Sequence, residues 1–387
     1  MNVLYISDQY SKGGAADALV EMIRIGKGYG IEASVLTGHR NEAGERLSNQ
    51  GIEYVFCGYR QFAYAKPKAG KWKYIKKVFM PLYSVGYRYA NQRAMSIVKD
   101  KIDFERIDVI HSNVDRNDFG AVLAKRYGVP HIWHLRECPS GHFDLGFYRR
   151  DPATYMNHNA TSFIAISEYV KEEWVRFGLD EKKISVIYDG VDLSGIEPRQ
   201  GSRTDGDKLK LVCVGEITVP KGQHIIIEAL NRLSDSGINI ELDFWGNGNA
   251  AYINSLREKC PSNANMSVDF CGYSNSLQTK LKDYDIGINP STNEGFGRTT
   301  VEYMAAGLCT LALNDGGNKE LIIPEHNGLT FNDPIELADM LQMLYKNKEE
   351  RLRLAETGQM WAKGKMDMNR NIRDIIHIYE EVCPKKH

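Results

Sequence analysis

The chain has 387 residues, is 42% hydrophobic and 26% charged, and carries a formal net charge of −1. That length supports two or three domains with their own cores. The charge balance creates no global field for nucleic acid or membrane, so any basic surface must be local.

Seven cysteines, Cys57, Cys138, Cys213, Cys260, Cys271, Cys309 and Cys383, are scattered and never closer than eleven apart. The spacing suits neither a disulfide framework nor a zinc site and points to a reducing cytosol. The opening residues, MNVLYISDQYSKGG, do not read as a signal peptide. No apolar run approaches the ~20 residues that a membrane span needs. The expectation is a cytoplasmic protein, either soluble or peripheral at the inner face of the membrane.

In chain order, a short apolar strand is predicted over 3–7, followed by Gly13 and Gly14 and a helix over 15–28 with Ala18, Leu19, Met22 and Ile23 at helical spacing. Further strands are expected at 33–37, 54–57, 108–111, 131–135, 163–167 and 184–187, with a helix-like stretch ending near Gly128. Residues 194–208, SGIEPRQGSRTDGDK, are polar and aperiodic, which is linker composition. The pattern then restarts: strands at 210–214, 241–245, 267–271, 286–289 and 310–313, a helix from about Gln223, and helical sequence over 334–382.

Such alternation implies an α/β protein with parallel strands and helical crossovers. The reading is two doubly wound, Rossmann-like domains at 1–192 and 206–368, joined by a linker at 193–205, with a C-terminal helix, about 369–387, packing back on the first. Sheets of this kind bind ligands at the carboxyl ends of their strands. The expected site is the interdomain cleft between the two facing sheets.

The densest local pattern runs from Asn289 through Pro290, Ser291, Glu294, Gly295, Phe296 and Gly297 to Arg298 and Glu302. A strand ends, a glycine-containing turn follows, and a helix begins. Its first N–H groups and positive dipole end favour an anion. Glu294 falls in the turn and Glu302 in the helix's second turn, so two carboxylates can bracket one extended ligand. A carboxylate suits paired sugar hydroxyls because it accepts two hydrogen bonds at once. The plainer alternative is a pair of solvated glutamates at a helix start.

The surrounding residues decide between them. The stretch from Glu294 to Glu302 resembles the E-x7-E motif of retaining glycosyltransferases of family four, a large group with the GT-B fold. The similarity runs in order along most of the chain: Gly13 and Gly14, His134, Ile166 and Ser167, then Tyr188 to Asp192. It continues through Gly215 to Lys221 and Gly222, Gly246 and Gly248, and Phe270 to Gly272 before the glutamates.

The resemblance implies transfer of a hexose-type sugar from a nucleoside-diphosphate sugar, a substrate rather than a cofactor, to a glycan, lipid-linked or protein-linked hydroxyl. No metal is required. Glu302 is then the ribose ligand, Glu294 a contact to the sugar hydroxyls with the backbone of Gly295, Phe296 and Gly297 nearby, and Lys221 a cation for the diphosphate. Gly14 belongs to a loop over donor or acceptor, His134 approaches the anomeric region, and Tyr273 meets the nucleobase.

One departure stands out. Where the family usually has Arg after the glycine equivalent to Gly215, this chain has Glu216. Arg136 and Arg298 are the candidate compensating cations. His131 and His134, three apart in a strand, point to opposite faces and make a poor metal chelate. His131 reads as structural.

The stretch 66–77, KPKAGKWKYIKK, holds Lys66, Lys68, Lys71, Lys73, Lys76 and Lys77 around Trp72 and Tyr74. It reads equally as a solvated, basic surface helix or loop or as a patch for an anionic membrane surface. No element supports nucleic-acid binding. Two rival functions stay open: a nicotinamide-dependent oxidoreductase, for which Gly246 and Gly248 form only a fragment of the dinucleotide fingerprint, and a non-catalytic sugar-binding relative, which Glu216 favours.

Overall fold

The computed structural model describes residues 1–7, 14–39, 47–66, 71–140, 145–197, 208–274 and 276–383, side chains of 65 and 71–81 aside. The chain divides into two compact units, Met1–Gly190 with Met368–His387, and Val191–Asp367. Most of the polar stretch expected as a linker, residues 198–207, lies outside the described residues, as does Gly13.

Among the described residues, the first unit is built on a seven-stranded parallel sheet. Its strands are β1 (Asn2–Ile6), β2 (Glu32–Thr37), β3 (Tyr54–Phe56), β5 (Val109–Ser112), β6 (His131–Leu135), β8 (Ser162–Ala165) and β9 (Ile184–Val186). Their order is β3-β2-β1-β5-β6-β8-β9. A separate antiparallel ribbon pairs β4 (Ala63–Ala65) with β7 (Leu145–Phe147). The Phe62 N–H donates to the Arg116 carbonyl at 3.1 Å, tying this ribbon to the loop after β5.

Both faces of the sheet are buried, which is why its strands read as continuous apolar runs. Val3 and Tyr5 face one layer, with Leu19 and Ile23 of α1 (Gly14–Gly26) and Ile372, Ile375 and Tyr379 of the C-terminal helix α13 (Met368–Val382). Leu4 and Ile6 face the other, with Ala94 and Val98 of α2 (Lys71–Lys99) and Phe119 and Leu123 of α3 (Phe119–Tyr127). This alternation is the two-residue period of a strand. The remaining helices of this unit are α4 (Pro152–Asn159) and α5 (Glu168–Phe177).

The second unit repeats the plan with six parallel strands: β10 (Lys208–Val214), β11 (Asn239–Trp245), β12 (Met266–Gly272), β13 (Ile286–Asn289), β14 (Cys309–Leu313) and β15 (Leu329–Phe331), in the order β12-β11-β10-β13-β14-β15. Its helices are α6 (Gln223–Arg232), α7 (Ala250–Arg257), α8 (Leu277–Lys280), α9 (Arg298–Ala305), α10 (Asn318–Leu321), α11 (Pro334–Lys346) and α12 (Lys348–Lys365). In each sheet the order reverses beside the first strand, between β1 and β5 and between β10 and β13. Loops leave the sheet in opposite directions there and open a crevice at the carboxyl ends.

The sequence expectation for 66–77 covered a helix or a loop. The structure has residues 71–99 as one long helix, continuing well past that segment. The short strands β4, β7 and β15 were not foreseen.

Candidate active site

In the second unit, the loops after β10, β13 and β14 lie against one another. Thr292 N–H donates to the Pro220 carbonyl at 2.9 Å, and Gly317 N–H to the Glu294 carbonyl at 2.7 Å. The approach is too close for side chains. A Cβ on Gly222 would lie 2.1 Å from the Pro290 oxygen, and one on Gly316 would lie 2.4 Å from the Glu294 oxygen, both at positive φ. Asn289 pins the cluster: its Nδ2 donates to Thr300 Oγ1 at 2.9 Å and to Asn318 Oδ1 at 3.1 Å. The Tyr303 hydroxyl accepts from the Val214 N–H at 2.6 Å, fixing α9 to the end of β10.

On this scaffold Lys221 Nζ meets Glu294 Oε2 at 2.6 Å, both side chains less than a third exposed. Two residues 73 apart in sequence, singled out separately, are thus brought together. Glu302 stands half-buried in the second turn of α9, which Arg298 opens after Gly297 at φ 101°. The Phe296 side chain is buried, so only its backbone faces the turn's surroundings. Tyr273, past the end of β12, is 67% exposed.

Glu216 is exposed, and its carbonyl accepts from Gln223 Nε2 at 3.0 Å. Buried Thr218 Oγ1, Gln223 Oε1 and Asn318 Nδ2 have no partner among the described residues. Buried polar atoms of this kind normally find a protein, ligand or water partner. Sequence reasoning named Asn289 only as a strand end and missed Asn318 and Tyr303. The Asp315-Gly316-Gly317-Asn318 run after a strand was the available signal.

A Cβ on Gly246 would fall 1.9 Å from the Gly215 oxygen, and one on Gly248 would fall 2.4 Å from the Ile217 oxygen. These glycines serve loop-to-loop contact, which removes the fragment that favoured a dinucleotide fingerprint. Among the described residues, no three His, Cys, Asp or Glu side chains gather as a metal-ligand set.

The first unit's carboxyl edge is different. His134 was expected at a sugar, but its ring is fully buried. His134 Nδ1 lies 3.1 Å from His111 Nε2, and His111 Nδ1 lies 2.7 Å from the Tyr379 hydroxyl. That hydroxyl reaches Tyr5 at 3.3 Å. Burial, with Arg136 next, holds both His134 and His111 well below the usual histidine range, so both are neutral. His134 is therefore an interior link in a polar chain through Nδ1, while its Nε2 has no partner among the described residues. His131 is structural, as read, with Ser112 Oγ 2.9 Å from its Nε2.

Arg136 follows on the same edge. It is buried, donating Nη1 to both carboxylate oxygens of Asp189 at 2.7 Å and Nε to the Asn113 carbonyl at 3.0 Å. Arg298 stays at the start of α9. Gly14 opens α1.

Residues 196–361 match the family Glycosyl transferases group 1, and residues 39–194 match Glycosyltransferase Family 4. Protein CapJ of Staphylococcus aureus is 28% identical over 181 residues, 45% of each chain, so the match spans under half of that relative. The putative glycosyltransferase EpsD of Bacillus subtilis (strain 168) is 27% identical over 326 residues, 79% of this chain and 84% of EpsD. Among solved structures, Anabaena HepE in complex with UDP and glucose superposes with a TM-score of 0.73 at 19% identity, covering 98% of this chain and 99% of HepE. At that identity the likeness shows the fold, which is GT-B.

Proposed function

We propose, for a chain whose two units both match glycosyltransferase families and which is a family-four-like GT-B glycosyltransferase homologue, that it transfers a hexose-type sugar from a nucleoside-diphosphate sugar to a hydroxyl, with retention of anomeric configuration. The acceptor is a glycan, a lipid-linked sugar or a protein-linked glycan in cell-surface polysaccharide or glycoconjugate synthesis. The observation that carries this reading is the Lys221–Glu294 pair, with Glu302 eight residues on, at the carboxyl edge of a doubly wound sheet.

Lys221 supplies a point charge for the diphosphate, Glu302 accepts from the ribose hydroxyls, and Glu294 accepts from the sugar. A bound donor exchanges the Lys221–Glu294 contact for one between each partner and its own part of the ligand. Catalysis then rests on positioning and on stabilising charge at the leaving diphosphate. The leaving phosphate takes the acceptor's proton, and no metal takes part. Exposed Glu216 stays hydrated and clear of the phosphate.

HepE is described with UDP and glucose, so UDP-sugars head the donor screen. The test is release of nucleoside diphosphate from each donor. Glu302→Ala weakens free nucleoside diphosphate and donor alike, by about 1.5–3 kcal/mol for a charge-assisted contact. Glu294→Ala leaves nucleotide affinity nearly intact and lowers transfer. Activity survives EDTA, and the product keeps the donor's configuration by NMR. An inverted product, or nucleotide affinity unchanged in Glu302→Ala, removes the assignment. A second part of the reading is that the segment from Lys66 to Lys77 lies on an anionic membrane that carries the acceptor.

A further inference from the structure

A groove of about 560 Å³ runs between α2 and α3 on the first unit, lined by Tyr87, Arg88, Asn91, Lys99, Arg126 and Arg149 among others, with no carboxylate among the described residues of its wall. The charge is segregated, not incidental. The 29 residues of α2 include seven Lys or Arg and no Asp or Glu, and α3 adds Lys125 and Arg126 with no acid, in a chain whose net charge is −1. Arg149 is balanced by buried Asp118 at 2.8 Å. Arg88, Lys99 and Arg126 are exposed and form no ion pair with a described residue. Three positive charges therefore line one groove without a counter-charge among the described residues.

The same helix exposes Leu82 at 68%, Val85 at 63% and Tyr89 at 69%. Their i, i+3, i+7 spacing puts them on one face. At 100° per residue that face adjoins the one carrying Arg88 and Lys99. An apolar strip beside unbalanced cations matches the boundary between lipid headgroups and acyl chains. A free anion in water would use the groove but gives no reason for the strip.

We propose that this groove holds the phosphate of an anionic phospholipid headgroup while Leu82, Val85 and Tyr89 enter the acyl boundary, so that α2 lies along the membrane surface. This rests on the membrane part of the proposed function and extends it from the segment at Lys66–Lys77 to a defined headgroup site.

The test is sedimentation of the full chain with vesicles of phosphatidylglycerol and phosphatidylcholine, against pure phosphatidylcholine. Binding to the anionic vesicles falls with added salt as surface charges are screened. Arg88→Gln, Lys99→Gln and Arg126→Gln together lower it about a hundredfold, at roughly fivefold for each charge removed. The matched control Arg232→Gln, Lys346→Gln and Lys363→Gln, at exposed positions of the second unit, keeps wild-type binding.

If the groove variant binds as the wild type does, or the control loses as much, the headgroup site is wrong while membrane attachment survives. Wild-type failure on anionic vesicles at low salt overturns both. Saturation by inorganic phosphate without vesicle binding also overturns the inference. None of these outcomes bears on donor turnover in solution, which separately tests the transferase reading.

Discussion

The two units share a strand order but use the carboxyl edges of their sheets in opposite ways. In the first, that edge is closed by side chains: the Arg136–Asp189 ion pair, the His134–His111–Tyr379–Tyr5 chain, and Asp118 held by Tyr87, Tyr155 and Arg149. In the second, it is closed by backbone, with glycines letting loops touch and one partly exposed Lys221–Glu294 pair above them. Buried polar groups must be satisfied internally and so become stability elements. Backbone loops with a solvent-reachable ion pair can exchange that pair for a ligand at little cost. One topology thus yields one edge closed by buried side chains and one closed by backbone beneath a partly exposed ion pair.

Breaking the first edge should have the larger effect on stability. Asp189→Ala strands the buried Arg136 charge and should lower stability by about 3–5 kcal/mol, read from chemical denaturation. A loss under about 1 kcal/mol would mean that the pair is not what closes this edge.

Next in size is a pH effect. Burial pushes His131 down to about 4, below its unfolded value of ~6.5. Its contribution is fully present above that unfolded value and is lost as pH falls through the folded one. Asp115, pushed up to about 7 by burial and then by Glu137, acts in the opposite sense over an overlapping window. The histidine is therefore read as a difference. The stability gap between wild type and His131→Gln should shrink by up to about 3 kcal/mol between pH 6.5 and 4. A constant gap would show that the ring is protonated equally in both states.

Tyr379→Phe removes one hydroxyl, leaves His111 Nδ1 without its partner and should cost about 1–3 kcal/mol. Its thermal unfolding sharpens the comparison, because Tyr379 enters this edge from the C-terminal helix. The smallest expected stability effect is in the second unit. Lys221→Ala should change stability by less than about 1 kcal/mol, the usual worth of a partly exposed pair, while weakening nucleotide binding in calorimetry. A large stability loss there would put Lys221 with the scaffold residues and undo the contrast.

Much of the architecture was legible along the chain. Apolar runs and helical spacing mark alternating strands and helices, since both periodicities are local. The turn from Asn289 to Glu302 carries its own signature of strand end, glycines and helix start. The segment 66–77 was ambiguous because its lysines, interleaved with Trp72 and Tyr74, show neither a helical nor a strand period.

Pairing was not legible. Lys221 and Glu294 are 73 residues apart, Arg136 and Asp189 are 53 apart, and His111 and Tyr379 are 268 apart. Position in the sequence marked His134 and Arg136 as ligand contacts because both follow or end a strand at the edge where ligands bind. The tertiary structure supplied Asp189, His111 and Tyr379 as their partners, which the neighbouring sequence does not show. By itself the sequence determined the repeated α/β plan and the glutamate turn, because backbone periodicity and turn chemistry are set by neighbours along the chain. Which polar groups face inward to one another, and which stay available for a ligand, was decided only when distant segments packed, because desolvation depends on what surrounds a group in space.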